Sequence, residues 1–271
     1  MLKSISQWAF ENDRPLEQVF QMAREHGFEA VEVAIAEDGE ITPQTTQEEC
    51  NVILEKAQKA GVQLSSMASG MGWKYQIISN DEAERRQAID AIAASLRVTQ
   101  MLGLDAYLCV PGRVGSEAEG GTPYDAAYDN ALAALRELAP VAEETGVTIG
   151  VENVWNKFLL SPLEMRDFLD KIGSPRVGCY FDVGNVLIMG YPEQWIRILG
   201  KRIAAIHFKD FETEVGTLEG FGDLLAGDVN FKAVIAALRD IGYTGPLTSE
   251  FFGCEADLPK ISAAMDKISQ M

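Results

Sequence analysis

Four residues in the second half of the chain, Glu152, Asp182, His207 and Glu250, each follow directly on a short apolar run. The runs cover 147–151, 177–181, 203–206 and 245–249. Three carboxylates and one imidazole suit a single borderline-to-hard divalent cation such as Mn2+, Co2+ or Mg2+, with Zn2+ as a further choice. A carboxylate that emerges from an apolar strand is expensive to bury unless a metal or a cationic side chain compensates it. Taken singly, each residue has a plainer reading. Glu152 and Glu250 could be core ion pairs, Asp182 a helix N-cap, and His207 a hydrogen-bonded core histidine. Taken together they point to a metal. The chain holds only two histidines, and the other, His26, precedes Gly27 at an expected helix C-terminus, where a cation complements the helix dipole. It is given no role.

A cation between Glu152 and Glu250 would take two adjacent oxygens of a sugar, such as a carbonyl and the neighbouring hydroxyl. That acidifies the C–H between them and stabilises an enediolate. If one glutamate removes the proton and the other returns one on the opposite face, the carbon is inverted. If one face is used and the proton moves to the next carbon, an aldose and a ketose interconvert. Lys209, two residues after His207, should share its side and could neutralise a substrate oxygen or phosphate. Asn185 could bond the substrate or orient a ligand. Trp73 and Trp155, with Trp8 and Phe10, could cover an apolar sugar face, and Arg113 is a rim cation. The bland alternatives are a solvated lysine, a turn asparagine and barrel-top packing. Four glycines in the loop 212–228 could cradle a phosphate, but five acids in the same loop oppose it.

These residues must be carried to one place by the elements before them. Eight units of strand then helix are readable. Strands are expected at 2–10, 28–35, 62–68, 106–110 and the four runs above. Helices start at capping or proline signals such as Asp13-Arg14-Pro15, Ser79-Asn80-Asp81, Thr122-Pro123, Ser161-Pro162 and Asp228, and most stop at a glycine. Connections before the strands are short, while those after them (70–80, 111–122, 209–228) are long. One end of the fold would then carry stability and the other the site. The expectation is an α/β protein, a single (β/α)8 TIM barrel with 1–271 as one catalytic domain. An open doubly wound sheet would bring a glycine-rich turn after the first strand, and Trp8-Ala9-Phe10-Glu11-Asn12 has none.

A formal charge of −18 would repel both nucleic acid and an anionic membrane, so neither is expected as a partner. No run approaches a membrane span, no signal peptide is seen, and four cysteines without paired spacing fit reduced thiols in the cytoplasm.

The series Val151-Glu152-Asn153, Phe181-Asp182-Val183-Gly184-Asn185, His207-Phe208-Lys209-Asp210, Gly227-Asp228-Val229-Asn230-Phe231 and Ser249-Glu250 resembles the xylose-isomerase-like TIM-barrel superfamily of sugar phosphate isomerases and epimerases. It is most similar to the L-ribulose-5-phosphate 3-epimerase / hexulose-6-phosphate isomerase-like branch. The resemblance implies a metal, often Mn2+, at Glu152, Asp182, His207 and Glu250, the two glutamates as acid and base, and a small sugar or sugar phosphate as partner. A homo-oligomer is also compatible with it. The related D-tagatose and D-psicose 3-epimerases carry Asp-x-x-His where this chain has Asn185, and an arginine where it has Thr213. The expected activity is 3-epimerisation of a ketose or ketose phosphate. The alternatives are a hydroxypyruvate- or hexulose-phosphate-type aldose–ketose isomerase, an inosose dehydratase-like lyase on the same site, and a non-catalytic sugar-binding barrel.

Overall fold

The structure, a computed structural model, describes residues 1–115, 118 and 121–271. Eight parallel strands close into a barrel: β1 (Lys3–Ser6), β2 (Ala30–Ile35), β3 (Gln63–Ser69), β4 (Ala106–Cys109), β5 (Thr148–Glu152), β6 (Val177–Asp182), β7 (Ile203–Phe208) and, at the end of the chain, β10 (Leu247–Ser249). Around the ring the order is β1-β10-β7-β6-β5-β4-β3-β2. Between β7 and β10 a small antiparallel pair, β8 (Asp210–Phe211) and β9 (Phe221–Gly222), stands outside the barrel. Eight helices cover the strands: α1 (Leu16–Glu25), α2 (Gln47–Ala60), α3 (Glu82–Met101), α4 (Tyr124–Thr145), α5 (Pro162–Ile172), α6 (Pro192–Leu199), α7 (Phe231–Asp240) and α8 (Leu258–Ser269). The expected (β/α)8 barrel is therefore observed.

Local chemistry explains most boundaries. Helix α2 opens on a reciprocal capping box, in which the Thr46 hydroxyl accepts from the Glu49 amide and the Glu49 carboxylate accepts from the Thr46 amide, and it closes on Gly61 in the left-handed conformation. In α5 the Ser161 hydroxyl accepts from the Glu164 amide and Pro162 fills the first turn. Both faces of the barrel strands are covered, so β6 is buried at all six positions and reads as a continuous apolar run rather than an alternating one.

Three sequence expectations shift. The first strand ends at Ser6, not Phe10, because the Ser6 hydroxyl accepts from the Trp8 amide and turns Gln7–Ala9 into a 3-10 helix. Phe10 is thereby buried in the core and does not cover the site. The helix expected at Asp228 starts at Phe231, capped by the Asn230 side chain, while the Asp228 carboxylate holds the Thr213 amide at 2.8 Å. The long connection 111–122 lies partly outside the described residues.

Inside the barrel, alternation sets which side chains meet. Tyr180 on β6 contacts Glu32 on β2, four strands away in the ring, so both point inward. Two positions on, Asp182 points inward as well, and β6 pairs with β7 so that Asp182 stands beside His207. Glu152 is opposite Tyr180 in the β5–β6 register. At Gly150 an added Cβ would lie 2.9 Å from Tyr180 Cβ, so only glycine lets this ring cross the barrel interior. No helix among the described residues is long and apolar enough to cross a membrane.

Candidate metal centre

At the C-terminal end of the barrel, Glu152, Asp182, His207 and Glu250 converge. Each offers one donor atom, and the four atoms lie within 4.8 Å of one another. All four side chains are buried, with His207 and Asp182 fully so. Two neighbours aim them. The Asn153 side chain donates to the Asp182 carbonyl at 2.8 Å and accepts from the Asp182 amide at 2.9 Å, which ties the ends of β5 and β6 together. Asp182 Oδ1 accepts from the Asn185 amide at 2.8 Å, leaving Oδ2 turned into the cluster.

Whether a divalent cation fits can be judged from the atoms left without partners. Asp182 Oδ2, His207 Nδ1 and Glu250 Oε2 are buried, and beyond one another and the Lys209 ammonium they have no partner. Such atoms are costly to leave unpaired, and here three of them face one point. Three carboxylates and an imidazole form a hard-to-borderline donor set, and a divalent cation together with the Lys209 ammonium would balance the three negative charges. The residues fit the group.

The electrostatics of the cluster are uneven. Burial pushes the Glu152 carboxyl up, the Glu250 carboxylate adds to this, and together they bring it to about 8. Burial also raises Glu250, but Lys209 and His207 override it and hold that carboxyl well below the usual range. For Asp182 burial wins, against the opposing pull of Lys209. Burial alone would lower His207, yet Glu32 and Glu250 hold its imidazolium well above the ordinary value. Lys209 Nζ lies 2.5 Å from Glu250 Oε2 and 3.2 Å from Asp182 Oδ2, and it also faces the rings of Phe221 and Phe252 at 5.7 and 5.9 Å. The ammonium is thus part of the cluster and not a solvated rim charge.

Above the cluster opens a basin of about 1320 Å3. Glu152, Glu250, Asn185, Lys209, Trp73, Trp155 and Arg113 all line it, as does Trp8, whose ring stacks on Phe252. Asn185 Nδ2 donates to Asn153 O at 3.1 Å and, at 3.4 Å, to Glu152 Oε1, so it braces a cluster residue. Trp155 Nε1 donates to Asn185 O at 2.9 Å, and its ring packs on Phe211 and Phe221. Trp73 is half exposed and Arg113 exposed on the basin wall.

Sequence reasoning passed over two polar residues under the cluster, Glu32 and Tyr180. Glu32 interrupts the apolar series of β2, between Val31 and Val33. That is the same signal of a charge in a buried strand that marked Glu152. Its position near the middle of the strand hid it, away from the strand end where a barrel carries its site.

The family model of the xylose isomerase-like TIM barrel matches residues 20–270. The chain belongs to this family. Among curated relatives, L-ribulose-5-phosphate 3-epimerase UlaE of Salmonella heidelberg (strain SL476) is 24% identical over 250 residues, spanning 90% of this chain and 84% of the relative. Among solved structures, D-psicose 3-epimerase with D-tagatose from Clostridium cellulolyticum H10 superposes with a TM-score of 0.80 at 19% identity, covering 100% of this chain and 98% of the other. The IOLI protein with a binding zinc atom gives 0.81 at 16%, with coverage of 100% and 98%. Both structures share the fold. The named epimerases are isomerases, and the expectation of an isomerase-class enzyme of this family is borne out.

Proposed function

We propose that the protein is a divalent-metal-dependent 3-epimerase of a ketose or ketose phosphate, with Glu152 and Glu250 as the acid–base pair. One observation carries this reading. Two buried glutamates line the same basin from strands three steps apart in the ring, and their surroundings push their proton affinities in opposite directions. Pairs of that kind mark acid and base assignments.

Glu152, Asp182, His207 and Glu250 would hold the cation, Mn2+ foremost. When bound it would supply the Lewis acidity that stabilises charge on the substrate carbonyl oxygen. Glu250, ionised across the neutral range, is suited to take the proton from the carbon next to the carbonyl. Glu152, on a strand three steps away in the ring, is suited to return one from the other side. Asn185 steadies the Glu152 carboxyl, and Lys209 offsets the negative charge of Asp182 and Glu250. Trp8, Phe221, Phe252 and Trp155 form an apolar wall that shields these groups from bulk water and can stack on a sugar face. In this reading residues 1–271 act as one catalytic domain on a small molecule, and neither nucleic acid nor a membrane takes part. A pentulose phosphate is the first substrate to try, since a relative is an L-ribulose-5-phosphate 3-epimerase.

Incubation of the Mn2+-loaded protein with L-ribulose 5-phosphate and with free ketoses in D2O, followed by NMR, tests the proposal. Deuterium at C3 with both configurations present is the expected result. Exchange at C1 or C2 alone would turn the reading to a ketol isomerase, and loss of water would turn it to a dehydratase. No exchange on any ketose, with binding retained in the Glu152→Gln protein, would leave a sugar-binding barrel.

A further inference from the structure

Directly beneath the cluster lies a carboxylate that belongs neither to the ligand set nor to the acid–base pair. Glu32 on β2 has no exposed surface and reaches across the barrel interior to β6 and β7. Its oxygens lie 2.9 and 3.1 Å from His207 Nε2. One of them also accepts the Ser66 hydroxyl at 2.8 Å and the Tyr180 hydroxyl, and Tyr180 and Ser66 are themselves 2.9 Å apart. The imidazole is therefore divided between two environments. Nε2 faces Glu32 from below, while Nδ1 faces the cluster, 2.9 Å from Glu250 Oε2.

An ionised carboxylate can only accept hydrogen bonds, so its contact with Nε2 requires the proton to be there. A neutral His207 must then carry its lone pair on Nδ1, pointing into the cluster. Tyr180 packs against the ring with centroids 4.6 Å apart and opposes the flip that would exchange the two nitrogens. Hydrogen bonding of the distal nitrogen to a carboxylate also makes the ligating nitrogen a better electron donor.

We propose that Glu32, fixed by Tyr180 and Ser66, is the positioning residue that keeps the His207 proton on Nε2 and presents Nδ1 to the metal, so that a side chain outside the ligand set controls how tightly the centre binds its cation. This rests on the metal reading of the cluster and not on the epimerase reading. A Glu32 present only to complete a core ion pair would affect folding and leave metal affinity unchanged.

The two histidines make the test direct, because 15N-histidine labelling gives only two ring systems to assign. With Zn2+ as the diamagnetic probe, the loaded wild-type protein should show a proton on His207 Nε2 and a metal-shifted Nδ1. In chelator competition Glu32→Gln should bind Zn2+ roughly 10- to 100-fold more weakly than wild type. Tyr180→Phe and Ser66→Ala, which each remove one hydrogen bond to the same carboxylate, should weaken it severalfold, and they carry the measurement if Glu32→Gln does not fold. Zinc on Nε2, or unchanged affinity in the variants, would overturn the proposal while leaving the metal reading in place. A wild-type protein that binds no Zn2+ would overturn both together.

Discussion

At position 152 burial and a neighbouring like charge act in the same direction, and the carboxyl keeps its proton up to about pH 8. A raised folded-state value means that the folded protein holds a proton the unfolded chain would release. In the metal-free protein this contribution is complete below the ordinary carboxyl value and is lost as pH rises through about 8. Glu152→Gln removes the titration. The variant should therefore gain stability on wild type between pH 5 and 8, by up to about 1.4 kcal/mol per pH unit. Melting temperatures across that range, in chelator, check the sign, and a constant difference would refute the shift. In the metal-loaded protein Glu152→Gln and Glu250→Gln should each lower kcat about 10^2- to 10^4-fold. Metal content must be measured alongside, since both residues are also proposed ligands. An activity loss that tracks lost metal alone would take the acid–base role from that residue.

The turn after β6 shows how an element positions several groups at once. Asp182 ends the strand, its Oδ1 accepts the Asn185 amide, and Gly184 lets the turn lie against Lys209. A Cβ at 184 would sit 2.7 Å from Lys209 Cβ and 3.2 Å from its backbone, so β7 or the turn would have to shift. Gly184→Ala is expected to cost about 1–3 kcal/mol by overpacking and to weaken metal binding as Lys209 is displaced. Gly70→Ala, where a Cβ meets nothing, is the control and should stay within about 0.5 kcal/mol of wild type. Urea midpoints and metal titrations of the two variants separate these outcomes. The β8–β9 pair works at the same scale. Its β9 ring, Phe221, faces both Lys209 and Trp155 and so joins the basin wall to the cluster.

For the whole molecule, the largest consequence of the cluster is stability. Three buried carboxylates around one point repel each other, and burial with mutual repulsion is what raises Glu152 and Asp182. A cation that binds only the folded state stabilises it by about 2.7 kcal/mol at a hundredfold excess over Kd. For a chain of this size that corresponds to roughly 5–10 °C. Chelator treatment should lower Tm by that order and Mn2+ should restore it, as followed by calorimetry. The same Tm with and without metal would show that the ion is not bound at the barrel mouth. The net charge of −18 adds a background repulsion that salt screens, so the two melts should be compared at one ionic strength.

Much of this protein was legible in its sequence because the deciding interactions are local. Caps such as Thr46 with Glu49 and Ser161 with Glu164 span three residues, and the buried runs of β5, β6 and β7 announce a covered parallel sheet without reference to any partner. Glu152, Asp182, His207 and Glu250 were readable for the same reason, as chemistry-bearing residues standing at the ends of those runs. What lies under and around them was settled only by closure of the ring. His207 and Glu32 are 175 residues apart, and Tyr180 and Glu32 are 148 apart. They meet because barrel register and inward alternation bring side chains of β2, β6 and β7 together in the interior. Lys209 could be placed on the site's side by its spacing from His207, but its place among the carboxylates depends on three strands and a glycine turn arriving together. Short-range hydrogen bonds and apolar periodicity wrote the elements into the sequence. The burial of charge, which depends on every strand at once, decided their chemistry.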